Sequence, residues 1–582
     1  MLGEITSLAG LGTLPAFEHA DPESVEDALA ECARLVGDVI APLNALGDRQ
    51  QSRHVDDGSV VTPDGFRAAY REYVASGWAG VALPAEYGGG GFPCLAAVAV
   101  EELVAAGNLA FSLCPTLTQG AVDLLVAHAS EEQKETWLPK LVTGEWTATM
   151  CLTEPDAGSD VGAVRTKAVP AADGTWRITG QKIFITYGEH DLSENIVHLV
   201  LARVPDAPPG TRGISCFIVP KWKPGVDGAL TDRNAVRCLS IEHKLGIHAS
   251  PTCVLGFDEA TGYLVGEPNA GMRSMFTMMN KARLSVGVQG LAVAERAYQQ
   301  AVSYARERRQ GRALSDLDDG PSPIIDHPDV RRMLFTIKAS VEALRVLLYL
   351  VAESIDLAEH HGEDAVRAER RELVELLTPV AKAWGTDLGV ELTSLALQVH
   401  GGMGYVEETG AAQLVRDARI GPIYEGTNGI QAIDLVTRKL PMDQGRAVRR
   451  FLCRLSAIDG ELAACGAELD RTRSGMVAAL ETLCTATEWM LLARAEEPAG
   501  ALAAATPYLR LFGLVTGGWL MARQAAVASH RLRAREGDRD FLRAKLVTAR
   551  FYCEQLLPQS TGLLAAITAP AHEWLAFESD LL

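Results

Sequence analysis

The first lysine or arginine of this chain is Arg34. A start without positive charge lacks both the n-region of a secretory signal and the Arg-rich face of a transit peptide, so a cytoplasmic location is expected. Basic residues are also in deficit overall, 54 Lys and Arg against 74 Asp and Glu, for a formal charge of −20. Such a field repels nucleic acid and anionic membrane, and any anionic ligand requires a local cationic site. The eleven cysteines, from Cys32 to Cys553, form no CxxC and no Cys/His spacing. That pattern offers neither a zinc site nor a disulfide frame, so no metal ligands and mostly buried, reduced thiols are expected. No GxGxxG follows a strand and there is no Walker loop, so a nucleotide has to be held without either device. No apolar run is long enough for a bilayer, since 94–100 leads straight into Glu101 and Glu102, and no transmembrane segment is expected.

What the chain does have is length and periodicity. Its 582 residues exceed what one hydrophobic core organises, so several structural units are expected. Val25, Leu29, Cys32, Leu35 and Val36 recur at helical spacing after Ser24, and the pattern resumes over 96–106 and 121–128. Ser130 with Gln133 three residues later forms a capping-box pattern ahead of a short helix over 133–142. Beyond it, β-forming runs at 176–186, 195–204, 213–219 and 252–257 alternate with Gly, Pro and Asp turns. Helical periodicity returns with Leu291, Ala294, Tyr298, Ala301, Val302 and Ala305 on one face, and later with Leu388, Leu392, Leu395, Ala396 and Val399. Residues 441–445 interrupt it, after which 447–465, 475–493, 506–531 and 541–557 read as four more helices. Arg449, Arg450, Arg454, Arg531, Arg533 and Arg535 in that last region fit solvated helix faces better than a phosphate or membrane patch.

Five segments stand out at the junctions of this helical, β, helical order: MCLTEPDAGSD (150–160), FIT (184–186), YARERRQ (304–310), QVHGGMGY (398–405) and RDARIGPIYEGTNGIQ (416–431). In these motifs, in their order and spacing, the chain closely resembles the acyl-CoA dehydrogenase family over roughly residues 25–440. SIEHKLGIHAS (240–250) and TMMNKARLSVGVQG (277–290) resemble the branch with 3-methylmercaptopropionyl-CoA dehydrogenases, whose members also carry a C-terminal helical extension. The expected fold is mainly α with a central β domain. It comprises an N-terminal helical domain (1–146), a middle β-barrel-like domain (147–265), a four-helix-bundle domain with the base (266–440) and an extra C-terminal helical domain (446–582).

The chemistry centres on Glu425. A loop carboxylate beside Ile423 and Tyr424 is partly desolvated, which raises its pKa toward the range useful to a general base. A loop glutamate is ordinarily just a solvated surface residue, so the motif around it is what singles it out. The resemblance implies that Glu425 removes the α-proton of an acyl thioester while hydride leaves the β-carbon for FAD, giving the trans-2-enoyl product. It also implies that the Glu425 backbone N–H and a flavin hydroxyl meet the developing enolate oxygen, and that Tyr424 and Gly426 face the substrate.

Thr427 is placed to cap the following helix, whose N-terminal N–H groups suit a pyrophosphate. By resemblance it contacts FAD, as do Met150, Leu152, Thr153 and Ser159, with Phe184 and Thr186 facing the flavin ring. Many members have Trp where Phe184 stands. Arg308, Gln310, Gln398, Gly401 and Gly402 are implied to reach the FAD of a neighbouring subunit, which makes a homodimer or dimer of dimers the expected assembly. Gly311 stands where the family usually has Phe. Ser159, Asn280 and Arg283 match positions that hold CoA, Asn280 replacing an Asp common in the family. Glu154 and Asp160 are expected to hold their loop and not to act as acids.

The implied partners are an acyl-CoA, or a carrier-bound acyl thioester, and an electron-transferring flavoprotein. An oxidase passing electrons to oxygen would use the same base and hydride geometry. Nitroalkane-oxidising relatives typically place Asp where Glu425 stands, and a DNA-associated member would need a basic face that this acidic chain lacks.

Overall fold

Ser130 and Gln133 show how local chemistry sets an element here. The Gln133 N–H donates to Ser130 Oγ at 3.2 Å and the Ser130 N–H to the Gln133 side chain at 3.2 Å, the reciprocal box that opens the helix Glu131–Val142. The computed structural model describes residues 1–225, 228–314 and 320–582. They form two compact units, one of His19–Ser285 and one of Met1–Glu18 with Val286–Leu582.

In the His19–Ser285 unit, helices lead into a seven-stranded sheet. Its order is Trp146–Cys151, Asn195–Ala202, Ser215–Pro220, Thr252–Val265, Trp176–Thr186, Lys167–Pro170, with Val236–Ile241 also pairing the long Thr252–Val265 strand. Only the first pair is parallel. Asn195–Ala202 is buried at all eight positions. Val197, Leu199 and Leu201 face a core with Leu138 and Met278, while Val200 and Ala202 face another with Phe217 and Leu255. A strand covered on both faces reads as a continuous apolar run, as NIVHLVLA does. The β-runs at 176–186 and 195–204 thus fall on observed strands, but 252–257 continues to Val265.

In the second unit, Pro328–His360 and Asp364–Val399 pack on each other and beside the 286–307 stretch of the helix Gly271–Glu307, where Arg345 binds Glu295 at 2.7 Å. Glycines set one close approach: a Cβ on Gly290 would lie 2.4 Å from the Gly385 carbonyl, and one on Gly287 2.7 Å from that of Ala381. Past the break at Met442–Gly445, where Asp443 and Gln444 are left-handed, helices Arg446–Ser456, Ile458–Ala464, Asp470–Glu496, Pro498–Ala503, Ala505–Ala534, Arg539–Phe551 and Gln559–Thr568 follow. These outnumber the four read from periodicity because 447–465 is divided in two and because Pro498–Ala503 and Gln559–Thr568 lie outside the four. Ala505–Ala534 docks on the bundle through glycine. The Trp384 ring sits so close that a Cβ on Gly513 or Gly517 would lie 2.4 or 2.7 Å from it. The arginines of this region are paired where the structure gives them partners. Arg449 makes two 2.8 Å bonds to Glu488, Arg450 binds Glu372 and Asp443, and Arg531 reaches Glu4 at 2.8 Å.

One expectation is corrected. Two helices among the described residues, Leu109–His128 and Ala467–Glu496, are long and apolar enough to cross a bilayer. Neither is an unbroken apolar run, because Ser, Thr and Gly interrupt both. In Leu109–His128, 72% of the most apolar stretch is buried within the protein, as a core helix requires. No disulfide joins the cysteines, and all are buried except exposed Cys453 and half-buried Cys484.

Candidate active site

The expected flavin-facing residues of the His19–Ser285 unit gather at one end of the strand Trp176–Thr186. Ile185 pairs with Cys253 and Lys182 with Leu255, so two residues, Ile183 and Phe184, stand opposite Val254 alone. This bulge puts Phe184 at φ 59° and leaves the residue 59% exposed, whereas Ile185 next to it is buried. The same strand holds the 150–153 segment. The Ile183 N–H donates to the Thr153 carbonyl at 2.9 Å and the Lys182 ammonium to the Leu152 carbonyl at 2.9 Å. Met150, Thr153 and Thr186 are half-buried and Leu152 is buried, while Ser159 is exposed on the turn beyond.

Glu154 holds this turn, as read from the sequence. Its carboxylate accepts from the Arg165 N–H at 2.6 Å, the Thr166 N–H at 3.1 Å, Thr166 Oγ1 at 2.6 Å and Lys182 Nζ at 2.7 Å. Burial pulls its pKa up, but the Lys182 charge and these bonds outweigh burial and hold it below the ordinary carboxylate value. Asp160 likewise accepts from the Gly162 N–H at 3.0 Å. Asn280 is exposed, and Arg283 is buried at 7% exposed with its guanidinium 3.5 Å from Asn280 Oδ1.

In the second unit, the Tyr304 and His400 rings lie 4.7 Å apart and bring the 304–310 and 398–405 motifs together. Arg308, Gln310, Gln398, Gly401 and Gly402 are all exposed there, with Arg308 3.3 Å from Gln310 Oε1. Gly401 needs its φ of 60°, but a Cβ on Gly402 would meet nothing within 4 Å. Among the described residues, packing gives no reason for glycine at 402, which fits a site where something else approaches the backbone. Gly311 has φ 64°, which explains why no bulky residue stands there.

The Glu425 loop is the most tightly braced part. Glu425 is half-buried at φ 58° and Gly426 follows at φ 82°. A Cβ on Gly426 would fall 2.8 Å from Gln431 Nε2, which donates to the Glu425 carbonyl at 3.3 Å and to the Gly426 carbonyl at 3.4 Å. The Tyr424 hydroxyl bonds Gln289 Oε1 on the helix Gly271–Glu307. Thr427 Oγ1 accepts from the Ile430 N–H at 3.3 Å and caps the helix Asn428–Asp434. From the helix Asp364–Val399, Lys382 Nζ reaches the Gly426 carbonyl and Asn428 Oδ1, each at 2.8 Å, and Asp387 Oδ1 accepts from Asn428 Nδ2 at 2.7 Å. Burial raises the Asp387 pKa, against the hydrogen bond from Asn428.

Lys382, Asp387 and Gln431 were not singled out from the sequence. The available signal was a lysine inside the apolar stretch PVAKAWG, at a position where a buried helix face allows no charge without a partner. A cavity of about 510 Å³ between the helices Asp364–Val399 and Arg446–Ser456 has none of the expected site residues in its lining, which includes Leu373, Phe451 and Arg454.

Comparison with known proteins agrees with this layout. Family profiles match along the chain: acyl-CoA dehydrogenase N-terminal domain at 30–145, middle domain at 149–260, C-terminal domain at 269–440, and acetyl-CoA dehydrogenase C-terminal-like at 455–578. The 3-methylmercaptopropionyl-CoA dehydrogenase of Ruegeria pomeroyi is 47% identical, over 95% of this chain and 94% of that protein. The butyryl-CoA dehydrogenase of Megasphaera elsdenii is 26% identical with a TM-score of 0.59, covering 71% of this chain and 96% of that one. An FAD-complexed acyl-CoA dehydrogenase of Bacillus anthracis, 20% identical, shares the fold over 97% of this chain and 90% of its own, with a TM-score of 0.76. With profiles for successive domains matched in order and near-full-length identity of 47%, the chain belongs to the acyl-CoA dehydrogenase family.

Proposed function

We propose that the chain catalyses FAD-dependent α,β-dehydrogenation of an acyl-CoA, with Glu425 as the base that removes the α-proton. The observation that carries this reading is the Glu425 loop, where two consecutive left-handed residues are fixed by side-chain donors to both their carbonyls. Backbone strain held in place by surrounding bonds is a mark of functional sites.

FAD fits the residues present: an exposed aromatic at a bulge, a glycine without an intrachain reason, and a capped helix start at Thr427. Met150, Leu152, Thr153, Ser159, Phe184, Thr186 and Thr427 would hold it, with Arg308, Gln310, Gln398, Gly401 and Gly402 serving the FAD of a second copy. Bound FAD supplies the acceptor for the hydride that leaves the β-carbon. The chain does the rest. Glu425 takes the α-proton, its own N–H meets the developing enolate oxygen, and the braced loop keeps both aimed before substrate arrives. Tyr424 and Gly426 flank the acyl group, and Ser159, Asn280 and Arg283 serve CoA.

The 47% identity to a 3-methylmercaptopropionyl-CoA dehydrogenase supports a short acyl group, including one with a thioether. A cytoplasmic enzyme that passes electrons to an electron-transferring flavoprotein completes the proposal, and its assembly as a homodimer or dimer of dimers is supported by the exposure of the residues assigned to the second copy's FAD. The test is anaerobic flavin bleaching with a panel of acyl-CoAs. Native holoenzyme is expected to bleach, and Glu425→Gln to keep FAD while losing at least about a thousand-fold in rate. Near-native bleaching by Glu425→Gln would overturn the base assignment.

A further inference from the structure

Lys382 is 0% exposed, on the helix Asp364–Val399 between Ala381 and Ala383. An apolar side chain of similar volume would fill that place without the desolvation an ammonium suffers, so the charge requires a reason. Two acceptors of its hydrogen bonds belong to the segment that carries Glu425: the Gly426 carbonyl and Asn428 Oδ1, each at 2.8 Å. The opposite end of the same amide, Asn428 Nδ2, donates to Asp387 Oδ1 at 2.7 Å and to the Ala383 carbonyl at 3.1 Å. The Asn428 side chain is thus gripped by a cation on its oxygen and an anion on its nitrogen, which fixes its orientation and that of the loop behind it.

The held conformation is one the loop would otherwise leave. Glu425 at φ 58° occupies a region that residues with a side chain disfavour, and the next residue, Gly426, is left-handed too. Relaxation of Glu425 to negative φ would rotate the peptide joining it to Tyr424. Its carboxylate and its own N–H would then swing away together.

We propose that Lys382 is a positioning residue for α-proton abstraction: by tying Gly426 and Asn428 to the helix, it keeps the Glu425 carboxylate and N–H in their working directions. This rests on Glu425 being the base. The inference assigns Lys382 a role in rate as well as in stability.

The experiment compares native holoenzyme, Lys382→Met and Glu425→Gln, each loaded with FAD. Three quantities are read: flavin reduction at saturating acyl-CoA, the pH profile of α-deprotonation of an acyl-CoA with sulfur in place of the β-carbon, and hydrogen exchange at residues 424–428. Such an analogue can lose its α-proton but cannot give up hydride, so it reports the base and its N–H alone. Lys382→Met is expected to reduce flavin about a hundred-fold more slowly, to move the deprotonation profile to higher pH, and to exchange faster at 424–428, with KM changed less than about three-fold. Native rate and profile in Lys382→Met, alongside an inactive Glu425→Gln, would overturn this inference and leave the base assignment standing. A Glu425→Gln variant that reduces flavin normally would overturn both. Should Lys382→Met yield no folded holoenzyme, Asn428→Ala takes its place, with about a ten-fold loss and the same shift of profile expected. A native rate and profile there would overturn the proposal equally.

Discussion

Phe184 and Glu425 share a backbone state: they are the two expected site residues bearing a side chain that adopt positive φ, at 59° and 58°. Each such conformation costs about 1–3 kcal/mol and survives only where neighbouring structure over-determines it. Strand pairing on both sides of a bulge does so for Phe184, and side-chain bonds from Gln431 and Lys382 do so around Glu425.

The exposure of Phe184 separates its proposed cofactor role from any packing role. Phe184→Ala is expected to leave the unfolding free energy within about 1 kcal/mol, since the residue is more than half exposed. Its FAD dissociation constant is expected to rise roughly three- to ten-fold, the value of one aromatic contact. Flavin fluorescence titration and thermal unfolding on the same samples check both halves.

Gly426→Ala meets two obstacles, a φ of 82° and a Cβ 2.8 Å from Gln431 Nε2. A loss of about 1–2 kcal/mol is expected from the conformation alone. Flavin reduction is expected to fall by at least ten-fold because Gln431 must leave the Glu425 carbonyl. Denaturant unfolding with anaerobic stopped-flow measures the two effects.

Lys182 and Glu154 are both nearly inaccessible, and removing one strands the other. Lys182→Met is expected to cost about 3–5 kcal/mol, the usual penalty for an uncompensated buried charge. Because Lys182 also bonds the Leu152 carbonyl, FAD content per chain should fall with it. Thermal unfolding with absorbance-based FAD stoichiometry checks this.

His190 and His198 give the fold an acid limit. Both are buried, and burial, with the Lys221 charge adding to it, lowers each pKa to about 3. The unfolded chain binds their protons near pH 6.5 and the folded one does not, so stability is complete above that pH and falls as pH drops toward 3. The slope contributed by each histidine is roughly 1.4 kcal/mol per pH unit inside that window. His198→Asn should flatten the profile of unfolding free energy against pH. An unchanged slope would show that His198 does not set the limit.

Much of the architecture was legible because burial leaves apolar runs and periods in the sequence. The strand Asn195–Ala202 announces itself by eight residues buried on both faces, and the helix Glu131–Val142 by a capping box that needs no tertiary partner. The cofactor and base motifs were legible as motifs, since their residues lie close along the chain. Periodicity did not separate the short C-terminal helices, and unbroken apolar runs were too strict a measure for Leu109–His128.

Sequence alone settled the order of helical and β segments and picked out Glu425 by the residues beside it. It did not disclose what holds Glu425 in place. Lys382, Asp387 and Gln431 act across distances of 41 to 46 residues, or from the far side of a helix turn, through a carbonyl and one amide. Hydrogen bonds of that kind leave no period and no spacing in a single chain, because they depend on which helix faces which loop. Only the tertiary structure brings a buried ammonium 2.8 Å from the Gly426 carbonyl, and so ties the residue after Glu425 to a helix 44 residues away in the chain.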